Sequence, residues 1–310
     1  MNRFYCKCGS EVFFDNRFCQ NCGVALGFDH KTLNIIPIEP RGKARYQSLD
    51  LSARSFKLCA NGSEHSSCNW LLPVEDENDL CFGCRFNRTI PNQKVIDVSP
   101  PINHQRWCRL EAAKKRLLYT LLELKIPLSN GWSDSKNGLL FDFLENIEAG
   151  TNAVSKKVVT GYADGIITID ILEADDIARV SARSALNERQ RTILGHFRHE
   201  SGHFFWDKLF KEMELGSEFE QLFGNPDKNY QESLNQYYED GPPSNWSHYF
   251  ITAYASSHPL EDWAETWNHL LLIFDTIETA HAHGLTPMKP EIQNLIGSLD
   301  VWNDLVIILN

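Results

Sequence analysis

His196-Phe197-Arg198-His199-Glu200-Ser201-Gly202-His203 lies in a run whose apolar residues, Ile193, Leu194, Phe197, Phe204, Phe205 and Leu209, recur at helical spacing. Within such a helix, His199 and His203 stand one turn apart on one face, close enough for both imidazoles to reach one divalent cation. Glu200 then points at the open side of the ion. The flanking residues would bury the helix, and a metal accounts for paired imidazoles on an otherwise hydrophobic element. His196, one turn earlier, reads as structural. The helical pattern extends over 187–215.

Zinc in a hydrolytic site takes three protein ligands and keeps a position for water. The richest source of a third ligand is His258-Pro259-Leu260-Glu261-Asp262-Trp263-Ala264-Glu265-Thr266-Trp267-Asn268-His269. As a helix over 260–282, it carries Trp263, Trp267, Leu270 and Phe274 as an apolar stripe and Glu261, Glu265, Asn268 and His269 on the polar side. Glu261 and Glu265, at i and i+4, can divide the work, one carboxylate on the metal and the other on an imidazole proton, with Asp262 a rival for the second task. The plain alternative is an acidic first turn that complements the helix dipole. Tyr254, Tyr249 and His248 are candidate donors to a developing oxyanion, Tyr254 first among them.

The N-terminal part has a different chemistry. Eight of the nine cysteines precede position 85, in two sets. Cys6, Cys8, Cys19 and Cys22 bracket Glu11-Val12-Phe13-Phe14, which reads as a strand, and Gly9 and Gly23 follow the pairs. Two knuckles around a hairpin describe a zinc ribbon with four thiolates on a structural Zn²⁺. Cys59, Cys68, Cys81 and Cys84 form the second set, in which His65 could replace Cys59 or Cys68. Cys108 reads as a packed thiol. Pro37 to Gly42 reads as a linker and Ser99-Pro100-Pro101 as the boundary between a zinc-ribbon region, 1–100 (sites at 6–22 and 59–84), and a main body, 101–310. In that body Trp107 to Lys125, Tyr230 to Asp240, Trp246 to Ser256 and Pro290 to Leu309 read as helices and Gly161 to Asp170 as a strand. The expected class is α+β, with the two four-cysteine sites leading into a mainly helical, zincin-like domain with a small sheet.

Charge follows the same division. Residues 1–100 hold 12 Lys+Arg against 11 Asp+Glu, a balance of +1, which leaves 18 against 30, a balance of −12, for residues 101–310. An acidic body argues against nucleic-acid binding there, while residues 1–100 stay open to it. The sequence has no apolar run long enough to span a bilayer and no secretory signal, so the expectation is a cytoplasmic protein without membrane contact, its thiols ligating metal rather than paired.

These residues together resemble the bacterial zinc-binding metallopeptidases that carry an N-terminal zinc-ribbon domain. The resemblance rests on both cysteine sets, Cys68-Asn69-Trp70, Trp107 with Lys114-Lys115-Arg116-Leu117-Leu118-Tyr119, Gly165-Ile166-Ile167-Thr168-Ile169, Gly195 to His203, and Tyr254-Ala255 through His258-Pro259 to Thr266. It implies a gluzincin-like site with zinc on His199, His203 and Glu261, Glu261 being preferred over Glu265 and His258 because the family's Glu-x-aromatic-Ala pattern falls on Glu261-Asp262-Trp263-Ala264. It also implies that Gly165 to Asp170 aligns a peptide substrate as an added strand. Leu260 and Asn268 depart from the family's Trp and Ala, the first knuckle is one residue short, and the family continues some tens of residues beyond Asn310. The expected activity is peptide-bond hydrolysis of a peptide or protein, with Glu200 as general base and Tyr254 as donor, one catalytic and two structural Zn²⁺, and Glu265 and Asp262 behind the ligands. Competing readings are a zinc-ribbon adaptor with a vestigial site and a nucleic-acid-associated protease.

Overall fold

The computed structural model describes residues 2–51, 53–93, 102–146, 158–176, 192–211 and 216–284. Strands β1 (Phe4–Tyr5) and β2 (Glu11–Val12) pair antiparallel on either side of the first knuckle, Cys6 to Gly9, with Phe4 opposite Val12 and both buried. A five-stranded antiparallel meander follows in chain order: β3 (Ala25–Asp29), β4 (Asn34–Pro40), β5 (Tyr46–Ser48), β6 (Ser55–Leu58) and β7 (Leu71–Pro73). The short α1 (Ala60–Ser63) lies between β6 and β7.

The linker expected at Pro37 to Gly42 is therefore mostly strand. Ile35, Ile36 and Ile38 are buried, and their burial outweighs the two prolines as punctuation. Pro37 lacks an amide proton, yet its carbonyl still accepts from Leu49 N at 2.8 Å.

A second sheet runs β10-β11-β9-β8, built from β8 (Asn87–Thr89), β9 (Leu140–Leu144), β10 (Gly161–Ala163) and β11 (Ile166–Asp170). Strand β8 comes from the N-terminal hundred residues, so the cysteine-rich region contributes directly to the sheet under the helices. Gly161 to Asp170, expected as one strand, is a hairpin. Asp164 and Gly165 take φ of 48° and 78°, the left-handed pair that an Asp-Gly two-residue turn supplies. Strand β11 is paired on both sides, with β10 antiparallel and β9 parallel, so its amides are not free for an added strand. Among the described residues the edge strands of that sheet are β8 and β10, and β10 packs on the histidine-bearing helix.

The helices are α2 (Ile102–Glu123), α3 (Ile193–Trp206), α4 (Gly216–Phe223), α5 (Tyr230–Asp240) and α6 (Pro259–Ala282). Helix α3 starts at Thr192, whose side chain accepts from Gly195 N, and runs into a π-helical turn at Asp207–Lys211. Helix α6 has Pro259 in its first turn and His258 as N-cap. The helix expected over Trp246 to Ser256 is two 3-10 turns, Trp246–His248 and Tyr254–Ser257. The apolar stripe of α6 consists of Trp263, Ala264, Trp267 and Leu271, with Leu271 in place of the expected Leu270. The expected boundary at Ser99 to Pro101, the parts of the expected helix at 187–191 and 212–215, and the helix from Pro290 to Leu309 lie outside the described residues.

Helix α2 holds both halves together. One buried cluster runs from Phe4, Phe14, Phe28 and Trp70 through Leu117, Leu118 and Tyr119 to Phe197, Trp263 and Trp267. Tyr119 packs edge-on against Phe14 and Phe28, with ring centroids 5.4 and 6.0 Å away, and its hydroxyl bonds Glu278 on α6 at 2.9 Å. Thr120 bonds Asp275, which also pairs with Arg198 of α3, so α2, α3 and α6 are cross-tied at one level. Among the described residues no helix is long and apolar enough to cross a membrane.

Candidate metal centre

Helices α3 and α6 pack closely because Gly202 lets them. A Cβ there would come within 3.0 Å of Ala264 Cα and 3.3 Å of Trp267. Two indoles lock the contact, Trp263 Nε1 donating to the Gly202 carbonyl at 2.7 Å and Trp267 Nε1 to Ser201 Oγ at 3.0 Å. The packing brings His199 and His203 of α3 against Glu261 and Glu265 in the first turns of α6.

One ligand atom from each of His199, His203 and Glu261 lies within 4.8 Å of the others. The imidazole centroids are 5.0 Å apart. Glu261, 1% exposed, has Oε2 3.1 Å from His199 Nε2 and Oε1 3.5 Å from His203 Nε2. On the far side of His199, Nδ1 lies 2.7 Å from Glu265 Oε1. With a proton held there by the carboxylate, Nε2, turned toward Glu261, is the nitrogen that would serve a cation. Burial works to raise the Glu261 carboxyl, but the imidazoles of His203 and His199 and the Tyr230 hydroxyl outweigh it and hold the group at about 2. Burial likewise opposes charge on His199, and Glu261 and Glu265 reverse that and raise it well above the ordinary imidazole value.

The donor set suits zinc, being two imidazoles and a carboxylate. A specific observation agrees with it. Glu261 Oε2 is buried and has no hydrogen-bond partner beyond its 3.1 Å ion-pair contact with His199 Nε2. A buried carboxylate oxygen left in this way is costly unless a cation meets it.

Glu200 follows His199 on the same helix, half-buried, and among the described residues makes no hydrogen bond or ion pair. Its charge is felt by both His199 and Tyr230. The Tyr254 ring lies 6.1 Å from that of His199. Burial, with Glu261 behind it, pushes the Tyr254 phenol up, so it keeps its proton. Among the described residues Asp262 makes no hydrogen bond or ion pair with either imidazole; burial, followed by the like charge of Glu265, pushes its carboxyl up to about 7. His258 has another task, since Nδ1 accepts from Leu260 N at 3.1 Å and Nε2 faces the Lys228 carbonyl at 3.1 Å. It caps α6 and orients the turn that carries Glu261. His248 and Tyr249 are exposed, and among the described residues neither makes a hydrogen bond or ion pair with the site. Tyr230, which sequence reasoning did not single out, donates to Glu261 Oε1 at 2.6 Å. It lies 31 residues away on another helix, and no periodicity connects the two.

Both cysteine sets assemble as well. Cys6, Cys8, Cys19 and Cys22 converge, with Cys6 and Cys22 sulfurs 3.6 Å apart and Cys8 and Cys19 3.7 Å apart; Cys8 and Cys22 are exposed. Gly9 and Gly23 take φ of 84° and 71°, the conformation each knuckle needs for its turn. Cys59, Cys68, Cys81 and Cys84 converge with all four buried. Amides of Trp70 and Cys81 point at the Cys68 and Cys59 sulfurs, each at 3.3 Å. His65 is not among the converging groups; its carbonyl meets His104 instead. On the other side of the second set lies a buried charge cluster of α2, with Lys114 and Lys115 2.8 and 3.7 Å from Glu111. Burial disfavours charge on Lys115, yet Cys68, Cys84 and Glu111 raise it well above its ordinary value. Four thiolates around a Zn²⁺ would carry a charge of −2, and the two ammonium groups with Glu111, a net +1, would offset part of it inside the core. Cys108 is half-buried near His104, and burial pushes its thiol up.

Residues 103–310 match the family described as "Putative zinc-binding metallo-peptidase", and residues 3–95 match a zinc-ribbon domain family. The chain belongs to this metallopeptidase family. Over 289 residues it is 35% identical to the uncharacterized protein Rv2568c of Mycobacterium tuberculosis (strain ATCC 25618 / H37Rv) and equally to the uncharacterized protein Mb2598c of Mycobacterium bovis; each alignment covers 93% of this chain and 77% of the relative. No solved structure matches the chain. The metallopeptidase family match spans α2, the histidine helix α3 and the carboxylate helix α6, and the zinc-ribbon match spans both cysteine sets.

Proposed function

We propose that the protein is a gluzincin-type peptidase with three zinc sites, one hydrolytic at His199, His203 and Glu261 and one structural in each cysteine set. Supporting this most directly is the convergence of His199, His203 and the buried Glu261, whose Oε2 has no hydrogen-bond partner beyond its contact with His199 Nε2. Zinc held there would supply Lewis acidity and lower the pKa of a coordinated water toward about 7. Glu200, next to His199 and without a hydrogen bond or ion pair among the described residues, would take the water's proton as general base and return it to the leaving amine. Tyr254, protonated and beside His199, donates to the oxyanion that forms on the scissile carbonyl. Glu265 keeps His199 in the tautomer that leaves Nε2 free, and His258 fixes the start of α6. The substrate is a peptide or protein, and the open edge of β10, next to α3, is the edge on which its backbone aligns. Residues 101–310 supply the hydrolytic groups, and the reduced cysteines suit a cytoplasmic enzyme.

The test is Glu200→Gln. The variant should retain three zincs per chain by elemental analysis and lose about 10²- to 10⁴-fold in cleavage rate across a broad peptide library. Undiminished cleavage would refute the role of Glu200. A parent protein that binds three zincs and cleaves no peptide would favour a zinc-ribbon adaptor instead.

A further inference from the structure

Helix α5 has no buried residue, and Tyr230 at its first position is itself 41% exposed. Yet the Tyr230 hydroxyl reaches the most deeply buried carboxylate of the site, donating to Glu261 Oε1 at 2.6 Å. Its place is set from two directions. Asn229 caps α5 by accepting from Glu232 N at 3.2 Å, which starts the helix at Tyr230. The phenol ring stands edge-on to His258, centroids 5.1 Å apart, and His258 in turn caps α6 immediately before Pro259, in the turn that presents Glu261.

The consequence falls on Glu261. Its two oxygens are chemically sorted: Oε1 accepts a charge-assisted hydrogen bond, and Oε2 has no hydrogen-bond partner and lies 3.1 Å from His199 Nε2. A carboxylate without such a tether can rotate about its last bond and offer either oxygen, or both, to a cation. We infer that Tyr230 is a positioning residue that holds Glu261 as a one-oxygen ligand, reserving Oε2 for the metal. The inference rests on the reading of Glu261 as third ligand. It gives the exposed helix α5 a task in the site that its burial pattern does not suggest.

The experiment measures zinc affinity at the His199 site of the full chain by competition with a chromophoric chelator, for the parent, Tyr230→Phe and Glu261→Ala. Tyr230→Phe keeps the ring against His258 and removes only the hydroxyl. Its affinity should fall about 10- to 100-fold, the range for losing a hydrogen bond to a metal ligand, with the zinc of both cysteine sets and the far-ultraviolet circular dichroism unchanged. Cobalt substituted at the site should show altered d–d bands, reporting the freed carboxylate. Parent-like affinity and bands in Tyr230→Phe, alongside loss of metal in Glu261→Ala, would overturn the role of Tyr230 and leave the ligand reading intact. Full zinc retention in Glu261→Ala would overturn the ligand reading and this inference with it.

Discussion

Asp262 stands between a carboxylate that meets two imidazoles and another carboxylate, Glu265, that holds an imidazole proton. It has no such partner, and burial with the charge of Glu265 pushes it up to about 7. A carboxyl raised in the folded state weighs against folding once it ionises. The penalty is absent below the unfolded value of about 4, grows between there and 7, and is complete above 7. Asp262→Asn removes it. At constant zinc and pH of about 8 the variant should be about 1–2 kcal/mol more stable than the parent in denaturant titrations, water screening part of the interaction. The gain should vanish as the pH falls to about 4; a gain that does not change with pH would contradict this origin. The same three residues show how environment divides like groups, since Glu261, Asp262 and Glu265 differ in partners rather than in chemistry.

At the scale of elements, the contact of α3 with α6 decides whether the centre exists. Gly202→Ala would place a methyl 3.0 Å from Ala264 Cα, against backbone that cannot give way without moving α6 and the carboxylates it carries. The expected cost is about 1–3 kcal/mol of stability, read by thermal unfolding, with weakened zinc binding at the His199 site and unaltered zinc at the cysteines. Unchanged zinc binding would show that the helices can separate without disturbing the ligands. Much of this pair was legible in the sequence. His199, His203, Glu261 and Glu265 are local patterns on amphipathic helices, and helical periodicity is a strong signal. What was not legible has different physical causes. Strand β4 carries two prolines that read as punctuation, although its pairing with β3 and β5 buries its isoleucines, and the hairpin of β10 and β11 had a local signal, Asp164-Gly165, inside a segment read as one strand. Tyr230 meets Glu261 through the relative placement of two helices, a partner remote in sequence that a local reading does not contain. His258 illustrates the converse, a histidine in the right neighbourhood whose ring the backbone of α6 already uses.

For the molecule as a whole, the two cysteine sets are not equivalent, although their composition is. The first lies at the periphery, with Cys8 and Cys22 exposed, whereas the second is wholly buried against Glu111, Lys114 and Lys115 of α2, the helix whose other residues join the core shared with α3 and α6. Zinc loss from the second set, with its thiols reprotonated, would remove the thiolate charge that faces Lys115 and leave Glu111 alone to balance both Lys114 and Lys115, one ammonium in excess deep in that core. An uncompensated buried charge costs roughly 3–5 kcal/mol, comparable with the net stability of many domains. Cys81→Ser should therefore lower the midpoint of the helical transition followed by far-ultraviolet circular dichroism and weaken zinc at the His199 site, although Cys81 belongs to the ribbon region. Cys22→Ser, at the exposed set, should cost much less on both readings. The contrast depends on the continuity of the core: with independent halves, Cys81→Ser would leave the helical transition and the His199 site where they are in the parent. Tyr119 and Thr120, which tie α2 to the far half of α6, provide the route by which a charge imbalance at the second cysteine set reaches the helix that presents Glu261.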